Sequence, residues 1–114
     1  IYPIYLNQKL RYTYNEVAIK VRNLDGIIIL AHIDRPNTGV LDYNIDLGKL
    51  DFDCFEVNSI DNINYIYEKH PFLKDYKVLF NSDAHDLVAI NEPSYYIELE
   101  ELSIDTVFDY LKRR

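Results

Sequence analysis

The feature that most constrains how this chain folds is the run Ile27-Ile28-Ile29-Leu30-Ala31, which is apolar without alternation and rich in β-branched residues. A strand with no polar face is expected to be covered on both sides, as in parallel sheets, whereas a half-solvated antiparallel strand alternates. Two shorter runs, Cys54 to Val57 and Lys77 to Phe80, also read as strands, and Tyr95 to Leu99 predicts a final one.

Helical spacing fills the intervals. Thr13 followed by Glu16 reads as a capping box, Val17, Val21 and Leu24 recur at helical spacing, and Gly26 supplies a stop, predicting a helix over 14–24. Ser59 is placed to cap a helix through Ile63, Ile66 and Tyr67 that ends near His70 and Pro71, and Ser103 opens a terminal helix. From Asp34 to Asp53, Pro36, Gly39, Gly48 and several Asp and Asn residues predict a long loop with room for one helical turn. This order of elements implies an α/β fold with mostly parallel strands and right-handed crossovers.

The chain's 114 residues suit a single core, so residues 1–114 are read as one unit. No apolar run approaches the roughly 20 residues that span a bilayer, and the start lacks the flanks of a signal peptide, so the expectation is a cytoplasmic protein with no membrane partner. The one cysteine, Cys54, sits in an apolar stretch and is expected to pack as a small buried side chain. A net charge of -7 opposes nonspecific attraction to nucleic acid or anionic lipid, although a bound cation would reverse that sign locally.

In α/β folds, chemistry gathers at the carboxyl ends of the strands. There the sequence places His32, the segment after Glu56, and Asp83 with His85. Asp83 and His85 are two residues apart in an extended segment, so one ion could touch both, and a carboxylate beside an imidazole suits Zn, Mn or Fe better than a pure Ca site. The plainer alternatives are an Asx turn at Asp83, an exposed loop at His85 and a hydrogen-bonded core position for His32. Arg35 either meets a substrate phosphate or pairs with an acid such as Asp34 or Asp42. His70, near a helix carboxyl end, is read as structural. The Tyr-rich stretches lack the basic stripe that base stacking would need, so they are read as packing.

Three segments, Ala31-His32-Ile33-Asp34-Arg35-Pro36, Phe55-Glu56-Val57-Asn58-Ser59 and Asn81-Ser82-Asp83-Ala84-His85, resemble the later motifs of PHP-domain (polymerase and histidinol phosphatase) proteins in order and approximate spacing. The resemblance implies the C-terminal portion of a distorted seven-stranded (β/α) barrel that holds up to three divalent ions, Zn, Mn or Fe. It implies hydrolysis of a phosphomonoester or of a nucleotide or nucleic-acid phosphate by metal-activated water. His32, Asp83 and His85 would be metal ligands, Glu56 a carboxylate beneath the site and Arg35 a contact to the phosphate-ester substrate. Ile33 stands where the family often has Pro.

The His-x-His motif that opens a PHP domain is not found in the chain, and the histidine and glutamate ligands that follow it are missing too. The chain therefore resembles the carboxyl-terminal half of such a domain, with the N-terminal half of the barrel as its expected partner. Alone it is expected to bind metal weakly and to be inactive. A half barrel leaves sheet edges and apolar surface uncovered, which makes a homo-oligomer an expected state. The alternative to an enzyme is a noncatalytic PHP-like scaffold or regulatory module.

Overall fold

A computed structural model describes residues 12–88 and 96–112. Its centre is a three-stranded parallel sheet in the order β1 (Ile29–Leu30), β2 (Cys54–Val57), β3 (Lys77–Phe80). Ile29 and Leu30 pair with Cys54 and Phe55, and β2 pairs along its whole length with β3. Three α-helices accompany the sheet, α1 (Tyr14–Asn23), α2 (Ile63–Lys69) and α3 (Ile104–Lys112). No helix among the described residues is long and apolar enough to cross a membrane.

Helix α1 begins at Thr13, whose hydroxyl oxygen accepts from the Glu16 amide at 3.2 Å. The Glu16 carboxylate does not complete a reciprocal box with the Thr13 amide; it accepts from the Thr13 hydroxyl instead. The helix ends in a Schellman motif, with Gly26 N–H donating to Val21 O at 2.9 Å and Asp25 N–H to Arg22 O at 3.0 Å. The left-handed seat of that motif belongs to Asp25, at φ 55°, and not to Gly26. Gly26 is required for closeness: a Cβ there would fall 2.8 Å from Val21 Cγ1.

The central strand is buried on both faces, with Cys54, Phe55 and Val57 at 0% exposure. β1 departs from the expectation drawn from its sequence, because Ile29 is 41% exposed while Leu30 is buried. The core gathers Leu30, Ile33, Phe52, Phe55, Val57, Ile66 and Leu73 beneath α2 and the loops. Between β1 and β2 the long loop makes two single 3₁₀ turns, Val40–Asp42 and Leu47–Lys49, rather than one. β3 lies where the sequence places it, as does α3, whose first turn is capped by Ser103 Oγ accepting from Thr106 N–H at 3.1 Å. The last expected strand is not formed over 96–99, which is irregular, and Tyr95 lies outside the described residues.

At the amino ends of the strands, Asp53 joins α1 to the sheet. Its carboxylate accepts from Arg22 Nη1 at 2.7 Å and from the Ile28 amide at 2.8 Å, and Arg22 also pairs with Asp51 at 2.9 Å. Nothing in the sequence spacing announces this junction, which spans 31 residues from Arg22 to Asp53.

Candidate functional site

The carboxyl ends of β1, β2 and β3 carry a layer of polar side chains linked by hydrogen bonds. After Leu30 the chain turns at His32, whose φ of 32° is left-handed, and Arg35 N–H closes the turn onto His32 O at 2.9 Å. Ile33 N–H donates to Glu56 O at 3.0 Å and its side chain is 1% exposed. A proline at that position could not donate this bond, so isoleucine extends the contact with β2 beyond the strand and anchors the turn in the core. Gly39 packs against the same turn so tightly that a Cβ would collide with the Ile33 carbonyl and with the Arg35 backbone.

Asp34, next in the chain, reaches across to the start of the following helical segment. Its carboxylate accepts from Asn58 N–H at 2.9 Å, from Ser59 N–H at 3.1 Å and from Asn62 Nδ2 at 2.7 Å. Ser59 makes no side-chain cap, and the carboxylate from the other loop holds the backbone just before the helical segment instead.

Glu56 lies on the central strand between the two outer ones. One carboxylate oxygen accepts from the His32 backbone N–H at 3.1 Å and the other from Asn81 Nδ2 at 2.6 Å. Both oxygens are thereby engaged in holding the ends of β1 and β3 against β2.

Asp83 follows β3 with a left-handed φ of 54°. Its Oδ2 accepts from Arg35 Nη1 at 2.9 Å, and its Oδ1 lies 3.9 Å from His85 Nε2. The Asp83 side chain is 23% exposed and that of His85 76%. Asp83 and His85 are thus brought together, Arg35 joins them, and the turn that holds Arg35 also holds His32. The Nδ1 atom of His32 is buried without a hydrogen-bond partner, as is Asn58 Oδ1. A buried nitrogen of this kind carries a desolvation cost until a donor, a water or a cation meets it.

Asp83 and His85 are the two residues placed so that they could hold one divalent ion. Two donors on one ion of Zn or Mn size sit about 3–3.5 Å apart, which the exposed His85 ring can reach from 3.9 Å by rotating. Among the described residues no three His, Cys, Asp or Glu side chains form a group that could hold an ion as they stand.

Outside this layer, His70 ends α2 with its amide bonded to Ile66 O at 2.8 Å and its ring edge-on to Phe72. Several tyrosines pack or anchor: Tyr76 stacks on Phe52 at 4.5 Å, Tyr67 meets Phe55 edge-on and Tyr14 donates to Asp51 O. Sequence reasoning missed the roles of Asp34 and Asn81. Asp34 stands two residues from His32, and Asn81 directly follows β3, so position at the strand ends was the available signal.

No family model matches the chain, and no curated protein or solved structure matches it significantly.

Proposed function

We propose that this chain supplies one side of a divalent-metal site in a PHP-type phosphoesterase, which hydrolyses a phosphomonoester or a nucleotide or nucleic-acid phosphate. The observation that carries the reading is that His32 and Asp83, which follow β1 and β3 at the carboxyl ends of a parallel sheet, both hold left-handed backbone. Side chains other than glycine adopt that conformation at a cost, and such positions cluster at functional sites.

In this reading Asp83 and His85 hold a Zn, Mn or Fe ion, and His32 offers the unpartnered Nδ1 as a further donor. When bound, the ion supplies Lewis acidity and a water of lowered pKa. Glu56 fixes the turn that carries His32, and Arg35 is the cation available to a phosphate. A centre of up to three ions draws its remaining ligands from the N-terminal half of the barrel, including a His-x-His pair. Ile29, Leu87, Val88 and Leu102 expose apolar surface that such a half, or a second copy, would cover.

With Mn or Zn, the protein joined to that half releases phosphate from a phosphate-ester panel, and His85→Ala abolishes the release. A metal-loaded protein inert to the whole panel would overturn the enzymatic reading. One observation favours the noncatalytic scaffold instead: Asp83 already has a cationic partner in Arg35. An upstream sequence without a His-x-His pair would decide for the scaffold.

A further inference from the structure

Resting on the metal reading above, we propose that Arg35 is a built-in competitor for the cation at Asp83. The guanidinium neutralises the carboxylate until a divalent ion displaces it, and is then free to bind an anionic phosphate. Metal binding and phosphate binding become coupled through one side chain.

The geometry suits an exchange of partners. Arg35 meets Asp83 through a single contact, Nη1 to Oδ2 at 2.9 Å, and not through the two-pronged fork that makes such pairs tight. The Arg35 side chain is 40% exposed, so it can swing away without crossing the core, whereas Asp83 at 23% is the more sheltered of the two and stays in place. The Arg35 amide is fastened to His32 O, so the released guanidinium stays at the strand ends.

Charge gives the exchange its consequence. The chain carries a net charge of -7, so an anion approaches only where positive charge is exposed. While Arg35 is paired with Asp83, its charge is cancelled by a neighbour. Once a divalent ion takes over that carboxylate, both the ion and Arg35 face the anion. Arg35 thereby guards against phosphate binding in the absence of metal.

The test is calorimetric titration of Mn2+ into the full chain, with and without inorganic phosphate. Wild-type protein is expected to bind Mn2+ weakly, and Arg35→Gln about tenfold more tightly, a typical size for coupling between sites. Lys69→Gln, at the far end of α2, removes the same charge and should change affinity by no more than about twofold, because distant charges are screened. Phosphate should tighten Mn2+ binding to the wild type more than it tightens binding to Arg35→Gln. Arg35→Met keeps the packing of the aliphatic stem and repeats the comparison if the glutamine variant unfolds. If Asp83→Asn abolishes Mn2+ binding while Arg35→Gln equals the wild type or binds more weakly, the metal site stands and the competitor role is overturned. If neither wild type nor Arg35→Gln binds Mn2+, both readings fall.

Discussion

Arg35 and Asp83 are 48 residues apart in sequence, and the 2.9 Å contact between them ties the loop after β1 to the segment after β3. The pair crosses over β2 without involving it, while Glu56 makes the parallel connection from the central strand. Two independent links therefore hold the same edge of the sheet.

Because both partners of the Arg35 and Asp83 pair are partly exposed, the link stabilises the fold modestly. A double-mutant cycle of Arg35→Gln and Asp83→Asn in urea should give a coupling energy of about 0.5–1 kcal/mol, shrinking in high salt. A coupling indistinguishable from zero would reduce the pair to a surface contact.

The junction at the opposite ends of the strands should matter more. Asp53 is 8% exposed, and its carboxylate satisfies both Arg22 and the Ile28 amide. Hydrogen bonds from Arg22 to Asp51 and Asp53 push the guanidinium pKa further up. Asp53→Ala strands a part-buried N–H and a part-buried guanidinium and should cost about 1–2 kcal/mol in denaturant unfolding. Asp51→Ala, at an exposed position, should cost less than about 1 kcal/mol.

Local signals in the sequence located the elements well and the links between them poorly. The mainly apolar runs at 29–30, 54–57 and 77–80 do form strands, although Glu56 and Lys77 interrupt the last two, because pairing in a covered sheet removes most of their apolar side chains from water. Thr13 and Ser103 cap as their spacing indicates, since a cap depends only on residues within one turn. Ser59 makes no side-chain cap, and its own amide and that of Asn58 are held by Asp34 from another loop, a contact that no window of local sequence contains. At the candidate site, residue types and strand-end position singled out His32, Asp83 and His85. Which of them touch depended on turn geometry, and the left-handed backbone at His32 and Asp83 leaves no mark in composition.

The end of α1 offers a stabilising change. Asp25 occupies the left-handed position of the Schellman motif and also puts a negative charge at a helix carboxyl end, where the dipole disfavours it. Asp25→Gly should relieve both and raise stability by about 0.5–1 kcal/mol, read as a higher denaturation midpoint with an unchanged slope. Gly26→Ala, by contrast, should destabilise, because its Cβ would press on Val21.

Cys54 makes a prediction about alkaline pH. The residue is 0% exposed at the start of β2, and burial, with the neighbouring Asp53 carboxylate, pushes its thiol pKa up from 9.0 to about 11. Burial likewise raises Tyr14 from 10.0 to about 12, helped by Asp51. Both groups are acids whose charged form the fold disfavours, so their folded values exceed the unfolded ones. The stability they contribute is complete below about pH 9 and is lost as pH rises towards 11 and beyond, because the unfolded chain releases those protons first. Denaturant midpoints should therefore be flat around neutrality and fall over that window, and Cys54→Ala should flatten part of the fall. In the native state at pH 8, Cys54 should react with a thiol reagent only at the rate at which the fold opens, since the thiolate is both buried and disfavoured. Rapid labelling of the folded protein would show that β2 is not closed on both faces.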